Sequence, residues 1–134
     1  MAEKKLSARE QAFIVIFEKS FNEDMTMQDI ISCAAECENI SVSEKAAALA
    51  VGTEENITEI DSIIESHLRG WSKARISKVA LAALRLGVYE LKFSKGAPVG
   101  VIISESVNLC KTYGSQEDKS FVNGVLGNVA RAQE

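Results

Sequence analysis

Proline is almost absent from this chain: Pro98 stands alone in 134 residues, with only eight glycines beside it. A turn-dense β sandwich needs more of both, because its hairpins depend on residues that fix φ or tolerate positive φ. No apolar run approaches the ~18 residues that cross a bilayer, and the opening MAEKKLSARE lacks the apolar stretch of a secretory leader. Histidine is confined to His67 and cysteine to Cys33, Cys37 and Cys110. Three thiols without framework spacing suit a reducing cytoplasm better than a disulfide scaffold. A four-ligand zinc site would consume nearly the whole His and Cys complement. Cys33 and Cys37, four apart, therefore read first as small buried hydrophobes and second as a metal-binding pair.

Catalytic signatures are missing too. There is no glycine-rich phosphate loop, G-x-S-x-G elbow, H-E-x-x-H or paired Cys motif. Gly124 and Gly127 fall in a helix-like apolar run, where they serve packing. With one histidine and no activated nucleophile, no catalytic residue, cofactor or metal is expected, which leaves a binding module.

What the chain does have is a core. Hydrophobic residues make up 46% and charged residues 25%, average for a folded protein and sufficient for one helical domain over residues 1–134. The net charge of −4 hides an asymmetry: +1 over residues 1–17, −10 over 18–65 and +5 over 66–134. Within residues 66–89 every charged residue is basic, namely Arg69, Lys73, Arg75, Lys78 and Arg85. Such unevenness points either to a polyanion partner or to a solvated helix face. The acidic half opposes strong non-specific nucleic-acid binding, so any such site is local.

Periodicity gives about seven helical segments. Ser7-Ala8-Arg9-Glu10 reads as a capping box, followed by Phe13, Phe17 and Phe21 every fourth residue, a stripe that is core first and a base-stacking platform second. A short helix follows from about Met27, capped by Thr26 with Asp29. Ser41-Val42-Ser43-Glu44 reads as another capping box, opening one long helix that bends near Gly52 and ends at His67, a capping or partly buried residue. Residues 76–92 are apolar on nearly every side, which predicts a central helix enclosed by others. Pro98 starts a helix that ends at Gly114, and a last helix runs from about Lys119 to Arg131, with Gly124 allowing close approach of a neighbour. The fold class is all-α.

Two stretches carry a resemblance. RISKVALAALRLGVYEL (residues 75–91) and PVGVIISESVNLCK (98–111) precede the hexapeptide FVNGVL (121–126). With Ala8-Arg9-Glu10-x-Ala12 and Phe17 at the other end, this order and spacing resemble the bacterial transcription antitermination NusB family. Residues 22–70 match only in length and helical pattern. The resemblance implies two packed helical subdomains around an enclosed central helix. It implies binding of boxA-type single-stranded RNA with the ribosomal protein acting as NusE, within an RNA polymerase antitermination complex, and in some members a homodimer that covers the RNA surface. Carried over residue by residue, the RNA contacts are Lys4, Lys5, Arg9, Phe17 and Phe121. Lysine and arginine neutralise phosphates and aromatics stack unpaired bases; Phe121 equally suits a core position. The partner surface maps near Ala80, Arg85 and Glu105, and Asn123 and Gly124 are structural.

The chain departs from the family pattern in places. It has two lysines where relatives carry an arginine-rich run, Ala80 where an acidic residue is common, Ser104 for Asn and Gly127 for Asp. Asn108 and Cys110 replace Glu and Ala. Lysine lacks the planar fork of arginine, so weaker RNA affinity is expected. Arg85 and Glu105, charged residues inside apolar segments, either pair with each other or lie at the surface. The alternative to RNA binding is a protein-interaction or homodimerising module with weak RNA affinity. A third reading, the accessory domain of an RNA methyltransferase, lacks a cofactor-binding domain in this sequence.

Overall fold

The computed structural model describes residues 6–68, 70, 75–94 and 96–132. Seven α-helices run in order: α1 (Ala8–Lys19), α2 (Met27–Cys37), α3 (Glu44–Glu55), α4 (Ile57–Glu65), α5 (Lys78–Tyr89), α6 (Val99–Tyr113) and α7 (Gln116–Arg131). A π-helical turn, Glu90–Ser94, prolongs α5. No strand occurs among the described residues, and no helix among them is long and apolar enough to cross a membrane.

The helix starts follow from short polar side chains. Ser7 Oγ accepts from Glu10 N–H while Glu10 Oε1 accepts from Ser7 N–H, each at 3.1 Å; Thr26 with Asp29 repeats the exchange at α2. At α3 the cap is Ser43, whose hydroxyl accepts from Ala46 N–H, so the Ser41–Glu44 box does not form. Ser43 N–H instead donates to Gln11 Oε1 at 2.9 Å, while Gln11 Nε2 donates to Leu6 O. That buried amide locks the start of α3 to α1. The last helix starts at Gln116, one turn before the expected Lys119, because Ser115 and Asp118 form their own capping box.

The expected long helix through His67 is two helices. The break falls at Asn56, not at Gly52: Asn56 leaves helical geometry (φ −110°, ψ 19°) and its side-chain amide donates to Gly52 O at 2.8 Å. A short side chain that bonds the backbone locally competes with helix continuation. Gly52 has a different task. A Cβ there would overlap the Tyr89 ring, so glycine lets α3 lie against the end of α5. His67, half-buried past the end of α4, has Nδ1 2.8 Å from Ile63 O. A carbonyl only accepts, so Nδ1 carries the proton and caps the helix end.

Helices α1, α2 and α3 form one group, α6 and α7 pack on each other and on α5, and α5 also meets α1, α3 and α4. Its Ala80, Leu81, Ala82, Ala83, Leu84, Leu86 and Val88 are all buried. This is the all-α architecture the sequence predicts, two helical groups joined through an enclosed central helix, because a helix apolar all round is stable only where neighbours cover every side.

Candidate nucleic-acid and partner interface

The phenylalanine stripe of α1 changes character along its length. Phe13 is 2% exposed, Phe17 is half-buried, and Phe21, just beyond the helix, is 59% exposed. Phe13 and Phe17 stack with centroids 6.0 Å apart, and Phe21 meets Phe17 edge-on at 5.1 Å. At the other end Tyr113, closing α6, lies 5.1 Å from Phe13. The result is a four-ring ladder, Tyr113–Phe13–Phe17–Phe21, anchored in the core at its middle and exposed at both ends. Lys78, in the first turn of α5, holds its ammonium 5.5 Å from the Phe21 ring centre, a cation–π contact. The Tyr113 hydroxyl donates to Glu10 Oε2 at 3.4 Å; burial first, then the Glu10 charge, lifts its pKa.

Arg9 does not stand free for a phosphate. Its Nε donates to both carboxylate oxygens of Glu90 at 3.1 and 3.0 Å, and Nη2 lies 2.9 Å from Oε1. Glu90 is only 5% exposed, turned inward by the π-helical turn. The hydrogen bond to Glu90 is the main force raising the Arg9 pKa, against burial. Arg9, expected as a phosphate contact, is held here in an ion pair that links α1 to the end of α5.

Of the two alternatives for Arg85 and Glu105, pairing with each other or lying at the surface, the structure takes neither for Arg85, which pairs with another residue. Arg85 donates through Nε and Nη2 to the two oxygens of Asp61 on α4, both at 2.9 Å, a fork-to-fork geometry that ties α4 to α5. Glu105, half-buried on α6, instead lines a hollow with Ser7, Arg9 and Glu10, and its charge acts on Arg9.

A larger hollow of about 530 Å³ opens between the start of α5 and the start of α7. Arg75, Ser77, Gln116, Ser120 and the half-buried Phe121 line it. Ser77 Oγ donates to Asp118 Oδ1 at 2.9 Å, so the caps of α5 and α7 are joined across its edge. Ala80, 1% exposed, contributes only a methyl to its wall. Asn123 and Gly124 lie on the exposed side of α7, and no described atom beyond Gly124, its two chain neighbours and the helix's own backbone lies within 4 Å of where a Gly124 Cβ would stand. The expected close approach at Gly124 is therefore absent among the described residues. Lys4 and Lys5 lie outside the described residues.

The cysteines also depart from expectation. Cys33 and Cys37 are exposed and Cys110 is buried; burial, with a contribution from Asp118, pushes the Cys110 thiol up to about 12.

The sequence profile of the NusB family matches residues 6–131, from just before α1 to the end of α7. The chain belongs to the NusB family. The transcription antitermination protein NusB of Lysinibacillus sphaericus is 38% identical over 123 residues, spanning 92% of this chain and 94% of that protein. A crystal structure of the antitermination factors NusB and NusE in complex with dsRNA superposes with a TM-score of 0.82 at 34% identity, covering 93% of this chain and 94% of that one. A crystal structure of a plectonemic RNA supercoil contains a chain that superposes at 0.84 with 37% identity, covering 94% and 93%.

Within this NusB-family chain the structure brings Phe17 into the exposed ladder and sets Phe121 at the hollow, while Arg9 is withdrawn into an ion pair. Sequence reasoning did not single out Phe21, Tyr113 and Lys78 as a surface. The fourfold phenylalanine spacing and the all-basic stretch carried the signal for two of them, whereas the Tyr113 contact depends on how α6 crosses α1.

Proposed function

We propose that this chain is a NusB-type transcription antitermination factor that binds boxA-type RNA together with the ribosomal protein acting as NusE, as one domain, without catalysis and in the cytoplasm. The observation that carries the RNA reading is the aromatic ladder. Its end rings Phe21 and Tyr113 are open to a base, and Lys78 sits where it meets a phosphate beside a stacked ring. Stacking on an exposed ring contributes about 1–3 kcal/mol per base. Phe17 supports Phe21 from below, Phe121 offers a second ring at the hollow, and Lys4 and Lys5 add charge from the N-terminal side. The partner is assigned to the surface of α5 and α6 around Ala80, Arg85 and Glu105. Ala80, Arg85 and Asp61 act there by shaping the helix packing, because their side chains are buried or already paired. Asn123 and Gly124 are assigned to the outer face of α7.

Titration of labelled boxA-like RNA, single-stranded and duplex, with and without the ribosomal partner and at several salt concentrations, tests the proposal. RNA affinity that falls at least fivefold in Phe21→Ala and a salt slope that shrinks in Lys78→Ala are the expected results. Unchanged RNA binding in both variants rejects the ladder as the contact.

One observation favours a second reading, an interaction or homodimerising module with weak RNA affinity. The Arg9 guanidinium is spent on Glu90 and leaves the first helix without a free arginine fork. Partner binding or self-association with no RNA binding at low salt would select it.

A further inference from the structure

Helix α2 carries two thiols that the proposed RNA reading leaves unused. Cys33 and Cys37 stand one turn apart, both exposed and both free, with their Sγ atoms 3.5 Å from each other. Beside them, Glu18 near the end of α1 shares a hydrogen bond with Glu38, the residue that caps α2.

Such a pair has two chemistries open to it. A disulfide needs Cβ atoms ~3.5–4.5 Å apart, whereas residues four apart on a helix hold theirs ~5–6 Å apart. Closing that bond would unwind the last turn of α2, which is held by Glu38 N–H and Ile40 N–H, both donating to Ala34 O at 3.1 and 3.0 Å. Chelation asks for no such movement. Two thiolates at ~2.3 Å from a tetrahedral metal lie ~3.8 Å apart, within a few tenths of an ångström of the separation already present. A divalent cation displaces the thiol protons itself as it binds.

We propose that Cys33 and Cys37 form a two-sulfur chelate for a soft divalent cation of the zinc type. Binding makes two metal–sulfur bonds and releases two thiol protons to solvent, with no change of oxidation state. No group of three or more His, Cys, Asp and Glu side chains among the described residues is arranged to hold a metal, so water fills the remaining coordination positions. The RNA contacts proposed above share no residue with this chelate.

The test uses the full chain, reduced and stripped with a chelator, titrated with Cd²⁺ alone and followed by thiolate-to-metal charge-transfer absorption in the ultraviolet, with Zn²⁺ as competitor. One equivalent is expected to bind, more tightly as pH rises, with loss of tenfold or more in Cys33→Ser and in Cys37→Ser. Both variants change exposed side chains, and circular dichroism verifies that they fold. Cys110→Ala is expected to leave the signal in place. Absence of the band in the parent chain, a dissociation constant weaker than ~100 µM, or a band that survives in the double serine variant overturns the proposal.

Discussion

Arg9 and Glu90, 81 residues apart in the chain, meet in a forked ion pair that fastens the first helix to the turn where the central helix ends. The carboxylate is buried and the guanidinium is half-buried. A charge held in that position depends on its partner, because it has lost its water. The pair therefore fixes the helix that carries the aromatic ladder relative to the helix that carries Lys78.

Arg9→Ala leaves Glu90 buried without its counter-ion and is expected to lower stability by about 3–5 kcal/mol. Urea unfolding measures it. The double variant Arg9→Met/Glu90→Gln is expected to regain most of the loss and to bind RNA at parental affinity. A loss below about 1 kcal/mol for the single variant contradicts the assignment.

Asp61→Asn weakens the fork to Arg85 and is expected to cost about 1.5–3 kcal/mol, in the range of charge-assisted hydrogen bonds. Glu105→Ala, which does not touch that pair, is expected to cost less. Thermal unfolding of the two variants side by side checks the order, and a larger effect for Glu105→Ala reverses the pairing.

Gly52→Ala places a methyl group against the Tyr89 ring. Overpacking of this kind costs about 1–3 kcal/mol. Adding Tyr89→Leu is expected to relieve part of it, so the two changes are non-additive in a double-mutant cycle. Strict additivity would mean that the rings and the helix do not meet as described.

Burial, helped by the hydrogen bond and charge of Glu38, raises the Glu18 pKa from an ordinary value near 4.5 to about 7. The folded chain then holds a proton that the unfolded chain releases, so this contribution to stability is full below 4.5 and is lost as pH climbs through about 7. The melting temperature is expected to fall between about pH 5 and pH 8, and Glu18→Gln is expected to flatten that fall. An identical slope in the variant removes Glu18 as its source.

Thiol reactivity separates the three cysteines. Cys33 and Cys37 are exposed, whereas Cys110 is buried with its pKa near 12. Iodoacetamide is expected to modify the first two in the native protein and Cys110 only after unfolding, as mass spectrometry of digested protein shows. Native-state labelling of Cys110 would place it outside the core.

Much of this was legible in the sequence. The capping residues Ser7 and Thr26, the apolar run through α5 and the phenylalanine spacing of α1 each act within a few residues, so local chemistry specifies them. Charged residues inside apolar segments, Arg85 and Glu105, stand out in the sequence as either paired or exposed. Neither Asp61 as the partner of Arg85 nor Glu90 as the partner of Arg9 is readable from periodicity, which shows which face a residue occupies and says nothing of which helix lies opposite. The fate of Asn56 and Gly52 was hidden for the same reason. Helical spacing continues through both, and only the packing of Tyr89 and the local bond of the Asn56 amide distinguish a break from a close contact.

Short-range patterns and a distinctive hexapeptide specify the helical class, the starts of α1, α2 and α6, the enclosed character of α5 and the family. The tertiary structure alone decided the pairing of Arg9 with Glu90 and Arg85 with Asp61, the exposure of Cys33 and Cys37, and the joining of Tyr113 to the phenylalanine ladder. Each of these depends on how helices distant in the chain cross one another. That crossing is set by the whole core at once and by no single segment of it.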